Sequence, residues 1–204
     1  MRDAITASLS QRLTAQARKV PEWCVYIVGA LPAPWLFWQA LTGALGVEPI
    51  EALEHEYGRL ALQLLLAGLA VTPLWRLTGV NLVKFRRPLG LLAFFYLCLH
   101  FLVWLLLDVQ ILSQAWADIV KRPFITIGMA GFLLLVPLAV TSTRKAIRRM
   151  GPKAWGRLHR LVYVAVGLGV LHFVMGRKGL QYEPLVYAGI LVVLLGLRLV
   201  PRRR

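Results

Sequence analysis

PLGLLAFFYLCLHFLVWLLLD, residues 88–108, decides the class of fold. Residues 89–107 carry no formal charge, and 19 residues at about 1.5 Å each approach the roughly 30 Å of a bilayer's hydrocarbon core. One imidazole, His100, sits near the middle. A ring nitrogen among Leu, Phe and Trp at membrane depth has no water to satisfy it, so His100 needs a partner from elsewhere in the fold.

The same pattern recurs along the chain. With 204 residues, a mean hydropathy of +0.65 and 58 % hydrophobic residues in long blocks, the expected class is all-α. Six blocks are long enough to span: residues 23–45, 60–77, 89–107, 124–140, 158–175 and 185–200. Pro32 and Pro34 predict a kink or break in the first. Residues 1–22 read as a cytoplasmic lead, with a helix lying on the membrane surface. GVEPIEALEHEYGR (46–59) reads as an acidic external loop, DVQILSQAWADIVKRP (108–123) as a loop with a short surface helix, and RKAIRRMGPKAWGR (144–157) as a basic loop. The organisation expected is one six-helix transmembrane domain, residues 23–200, with a basic cytoplasmic tail at 201–204.

The net charge of +15 would suggest nucleic acid in a soluble chain, but no nucleic-acid motif accompanies it and the basic residues cluster between apolar blocks. Topology and anionic lipid headgroups explain them. Placing residues 1–22, 76–87, 144–160 and 198–204 on one side gathers 19 of the 24 Lys and Arg there, and leaves seven of the nine Asp and Glu on the other. The positive-inside rule then puts both termini in the cytoplasm. Cys24 and Cys98 lie in separate apolar blocks, form no CxxC pair and read as packing residues. The first 20 residues have no apolar core of a cleavable signal. Neither a GxGxxG after a strand nor a P-loop occurs, so no nicotinamide site is recognisable.

The chemistry lies in the four histidines, His55, His100, His159 and His172. The third and fifth spans run in the same direction. His100 is the twelfth residue of the third and His172 the fifteenth of the fifth, which predicts matched depth nearer the external face. Two imidazoles at one depth on neighbouring helices suit bis-histidine ligation of a membrane heme. Gly90, Gly167 and Gly169 would let a flat macrocycle approach the backbone. The competing explanation is a pair of interhelical hydrogen bonds. No carboxylate sits beside either histidine in the sequence to complete a non-heme metal site.

His159 precedes His172 by 13 residues, about 3.6 turns, so on an ideal helix the two rings point about 140° apart. Arg86 falls 14 residues before His100, nearly in phase, but a guanidinium stays protonated and ligates no iron. Arg86, Arg87 and His159 suit an anionic group instead: a flavin phosphate, a heme propionate or a polarised quinone; purely topogenic charge is the competing explanation for the arginines. Arg59, with His55 beside it, is placed either to meet a heme propionate or simply at the interface. Trp75, Trp104, Trp155 and Tyr182 read as interfacial belt residues.

Four stretches together resemble one family: HEYGRLALQLLLAGLAVTPL; Arg86-Arg87 before PLGLLAFFYLCLHF; TSTRKAIRRMGPKAWGRLHRLVY; and His172. They resemble MsrQ (YedZ), the heme-binding membrane subunits of periplasmic methionine sulfoxide reductase systems, over about residues 50–200. More loosely, the chain resembles the ferric reductase-like transmembrane domain superfamily. Members of that superfamily carry two histidines on each of two spans, and this chain departs from the pattern at Arg86. The resemblance implies a multi-pass protein of the bacterial inner membrane that binds heme b, at least one, and FMN. It would take electrons from quinol or a cytosolic flavin reductase and pass them to a periplasmic molybdopterin reductase, MsrP. At matching positions it implies His100 and His172 as heme ligands and His159 as a third family histidine near heme or flavin. The readings to be separated from this one are a non-redox transporter or scaffold with structural histidines, and a self-contained ferric reductase.

Overall fold

A computed structural model describes residues 2–177 and 181–199, and among these every regular element is helical. The expected basic tail at 201–204 lies outside the described residues, as does Lys178. Helix α1 (Arg2–Lys19) leads into α2 (Glu22–Ala30) and α3 (Pro32–Leu41), then α4 (Pro49–Thr78) and α5 (Arg86–Val103). A π-helical turn, Trp104–Val109, ends α5. There follow α6 (Leu112–Lys121), α7 (Pro123–Val140), α8 (Arg144–Met150), α9 (Pro152–Leu158), α10 (Leu161–Gly176) and α11 (Tyr182–Leu199). Six segments are long and apolar enough to cross a membrane: Glu22–Leu41, Pro49–Thr78, Val83–Val109, Pro123–Val140, Pro152–Gly176 and Tyr182–Leu199.

The first span is interrupted at Leu31, immediately before Pro32, as the prolines predict. Two expected loops are instead helical. The acidic segment 46–59 is mostly the first turns of α4, which begins at Pro49 and at 30 residues reaches well past the hydrocarbon core. The basic segment 144–157 folds as α8 and α9 around Gly151, whose φ of +76° a side chain would oppose. In both cases a proline at the first helical position, where a missing N–H costs nothing, starts the helix.

Two antiparallel pairs, α4 with α5 and α7 with α10, form the centre, and α11 closes over α4 and α10. Leu62, Leu65, Leu66, Leu69, Ala93, Leu135, Leu138, Val166 and Leu191 interlock there. Ala33, Tyr57 and Tyr96 bind α3 to this centre. Tyr57 donates to the Ala33 carbonyl at 2.8 Å and Tyr96 to the Gly29 carbonyl at 2.7 Å, on either side of the interruption. In α4, Pro73 cannot donate to Leu69, and the carbonyl so freed accepts from the Arg198 guanidinium at 2.6 Å. Arg198 also donates to the Tyr163 hydroxyl at 2.7 Å, so one side chain ties α11 to α4 and α10. At the N-terminus, the α1 hydroxyl of Thr14 accepts from Asn81 N–H at 3.1 Å, which holds α1 against the turn between α4 and α5.

Candidate cofactor cavities

Antiparallel neighbours place the ends of the helices on two faces. One face carries Arg76, Arg86, Arg87 and the α8–α9 cations. The other carries Glu48, Glu51, Glu54, Glu56, Asp108, Asp118 and Glu183. A cavity lies toward each face.

The cavity toward the acidic face is walled by α4, α5, α7 and α10. It brings His100 and His172 together, with ring centroids 6.2 Å apart and planes at 78°. Each imidazole bonds through Nδ1 to a backbone carbonyl of the neighbouring helix. His100 Nδ1 lies 2.9 Å from Glu54 O, and His172 Nδ1 lies 2.7 Å from Phe124 O. A carbonyl only accepts, so each Nδ1 carries the proton and each neutral ring keeps its lone pair on Nε2. Metal-binding histidines are oriented in this way.

Glycines make that approach possible. A Cβ at Gly58 would stand 3.1 Å from His100 Nδ1, and one at Gly128 only 2.7 Å from His172 Nδ1. Neither glycine stands out in the sequence; each sits four residues after the carbonyl that the histidine uses. Of the three glycines expected to admit a macrocycle, Gly169 lines this cavity and Gly90 the other, while Gly167 lines neither and a Cβ added there would meet open space.

His55 and Arg59 also line this cavity, but both face acidic partners. His55 Nδ1 is 3.9 Å from Glu51 Oε1. Arg59 is paired with Glu56 and, at 3.3 Å, with Glu183 on α11. Arg177 has no ion pair among the described residues; its Nε is buried without a hydrogen-bond partner, and its guanidinium lies 5.6 Å from the ring of Phe173, a lining residue. Glu54 shares the wall as well, yet no three His, Cys, Asp or Glu side chains gather as a metal site among the described residues.

The second cavity opens toward the basic face and is lined by Arg86, Arg87, His159 and Arg160, with Trp155 and Tyr163. His159 stands in the turn between α9 and α10, so the ideal-helix angle to His172 does not apply. Its Nε2 is 3.1 Å from Thr141 Oγ1, which itself donates to Pro137 O at 2.6 Å. The hydroxyl's one proton is thus used, so it accepts from His159 Nε2–H. Trp155, one turn earlier, stacks on the imidazole at 3.9 Å and donates Nε1–H to Thr141 O. The three hydroxyls of the TST motif bond differently. Thr141 holds His159, Ser142 bonds back to Leu138 O, and Thr143 caps α8 by accepting from Ala146 N–H.

Two of the expected belt residues are therefore cavity walls. Trp155 clamps His159, and Trp104 is buried in the π-helical turn beside His100. Trp75 and Tyr182 remain at exposed span ends. The cavities share Leu65 and Leu135 as a wall. Across it run near-parallel rings: Phe94 of the second cavity stacks on Phe132 of the first at 5.8 Å, and Phe132 on Phe101 at 5.3 Å.

The donor set of the first cavity fits a heme. Two imidazoles trans across one metal ion, each bonded at about 2 Å, have ring centres roughly 6.3 Å apart. The observed spacing is 6.2 Å. The rest of the lining is mainly apolar and includes the small residues Ala61, Gly131, Ala165 and Gly169.

Comparison with known proteins bears on the whole chain. Residues 57–170 match the family described as ferric reductase like transmembrane component. A protein of Agrobacterium fabrum named protein-methionine-sulfoxide reductase heme-binding subunit MsrQ is 50 % identical over 87 % of this chain and 83 % of its own length. Proteins of the same name are 44 % identical in Brucella anthropi, over 97 % of this chain and 90 % of theirs, and 48 % identical in Rhizobium meliloti, over 89 % and 84 %. No solved structure matches.

Proposed function

The chain belongs to the MsrQ family, within the ferric reductase like transmembrane components, and on that premise we propose that it is a heme-binding electron-transfer subunit of a methionine sulfoxide reductase system. It is a multi-pass membrane protein. His100 and His172 are the residues that would hold heme b, through Nε2. The single observation that carries this reading is their spacing of 6.2 Å with both Nδ1 atoms turned to backbone carbonyls. Heme, when bound, supplies one-electron chemistry that no side chain here offers. The chain's own residues orient the ligand nitrogens, keep them unprotonated and exclude water with Leu62, Leu97, Phe101 and Phe132.

The second cavity has the chemistry of the electron-accepting side. Arg86, Arg87 and Arg160 offer donors to an anionic group, and Trp155 presents an aromatic wall. FMN, a heme propionate or a quinone fits that description. The excess of Lys and Arg on this face supports a cytoplasmic placement of both termini in a bacterial inner membrane. Electrons would then run from quinol or a cytosolic flavin reductase outward to a periplasmic molybdopterin reductase, MsrP, meeting the acidic face.

The test is the visible spectrum of the purified full-length chain, with heme and flavin quantified per chain. A Soret band that disappears in His100→Ala and in His172→Ala is expected. No band, or one indifferent to both substitutions, overturns the assignment.

A further inference from the structure

The two helix pairs at the centre repeat one device. In each, a histidine donates Nδ1–H to a carbonyl 46 or 48 residues earlier in the chain, on the antiparallel neighbour. In an α-helix that carbonyl already receives the N–H of the residue four positions on, which is Gly58 for Glu54 and Gly128 for Phe124. A carbonyl has two lone pairs and takes both donors. A Cβ at the fourth position would crowd the imidazole, to 2.7 Å at Gly128 and 3.1 Å at Gly58.

We propose that Gly58 and Gly128 are ligand-positioning residues: each leaves the seat in which one imidazole donates Nδ1–H to the carbonyl one turn back, and together the seats hold the rings near perpendicular across the cavity. The inference rests on the heme reading of that cavity and adds to it what sets the ligands' orientation and donor strength. Two consequences distinguish the seats from plain close packing. Donation from Nδ1–H makes Nε2 a stronger electron donor, which favours the ferric ion and lowers the reduction potential. Planes at 78° let the two imidazoles act on different iron d orbitals, which leaves those orbitals close in energy. A ferric low-spin centre of that kind has a strongly anisotropic EPR spectrum with one large g value.

The seats differ in tightness. At Gly128 the added Cβ would meet His172 Nδ1 at 2.7 Å, Cε1 at 3.0 Å and Cγ at 3.1 Å, so the whole ring must move and lose its hydrogen bond. At Gly58 the nearest approach is 3.1 Å, which a shift of a few tenths of an ångström relieves. Gly189 on α11 meets nothing within 4 Å and serves as the control.

The experiment compares the full-length chain with Gly128→Ala, Gly58→Ala and Gly189→Ala by heme content, ferric EPR and redox titration. Expected are a large-g signal in the unaltered chain and in Gly189→Ala. Gly128→Ala should shift that signal, raise the midpoint potential and weaken heme retention toward the lower end of the 10–100-fold typical of a lost ligand-orienting partner. Gly58→Ala should move the same readouts in the same direction by less. Should Gly128→Ala fail to accumulate in the membrane, Gly58→Ala, with its milder contact, decides the matter. Unchanged EPR and potential in Gly58→Ala and in any Gly128→Ala obtained, with heme at full content, overturn the positioning role and leave the heme reading standing. No heme in the unaltered chain overturns both.

Discussion

The two cavities use histidine in opposite ways. Toward the acidic face, His100 and His172 are held by Nδ1 and present Nε2. Toward the basic face, His159 is held by Nε2 against Thr141, is covered by Trp155 and keeps only Nδ1 free. Charge follows the same division. The first cavity's Arg59 is neutralised by Glu56 and Glu183, whereas no ion pair joins Arg86, Arg87 or Arg160 among the described residues. On the proposed reading, one cavity would hold a metal between two neutral nitrogens, and the other would receive an anion among cations. What a histidine can do is set by which nitrogen its neighbours occupy.

The sharpest way to break this comparison is to remove the histidines one at a time. His100→Ala and His172→Ala should each abolish or nearly abolish the Soret band assigned to the first cavity, while His159→Ala should leave that band in place. Equal loss in all three would mean that the cavities are not separable. Next in size is the Pro73–Leu69–Arg198 clamp. Arg198→Leu leaves the Leu69 carbonyl buried without a donor, at a cost of about 1–3 kcal/mol seen as a lower Tm in detergent. Pro73→Ala supplies the missing N–H, so the double variant should recover part of the loss. A simple sum of the two single effects would show that the carbonyl is not the coupled group.

Thr141→Val should be milder, about 1 kcal/mol for the bond to His159, because the Pro137 carbonyl keeps its bond from Thr141 N–H. Its effect should fall on the second cavity, as a changed flavin or heme stoichiometry there with the His100–His172 band retained. The smallest effect is expected at Arg59. Exposed or half-exposed ion pairs contribute about 0–1 kcal/mol, so Arg59→Gln should hardly move the Tm or heme content. Arg177→Gln removes a cation that has no ion-pair partner among the described residues beside the cavity, and should change the heme midpoint potential more than Arg59→Gln does. The reverse order would assign the rim charge to Arg59.

Much of the fold is legible from hydropathy because spanning a bilayer imposes a length and an absence of charge that can be read residue by residue. Matched depth likewise places His100 and His172 on one level, and the two rings do meet. The departures from expectation share a cause. Residues 46–59 and 144–157 read as loops because their charges outweigh their helix signals, yet Pro49 and Pro152 stand where prolines start helices. Trp104 and Trp155 read as belt residues because position near a span end is the only local cue. Their burial depends on the neighbouring helix, which no local pattern names.

By itself the sequence determined six spans, a strong charge asymmetry between their ends and a pair of histidines at one depth. Each follows from sums over adjacent residues and from a rise of about 1.5 Å per residue. Only the tertiary structure decided which glycines matter, which nitrogen each histidine leaves free and which arginines pair with a carboxylate. Those properties belong to contacts between helices that lie more than 40 residues apart in the chain, such as His100 with Glu54 and His172 with Phe124. A hydrogen bond of about 3 Å is far more demanding than a hydropathy average, and only packing brings its two ends within that distance.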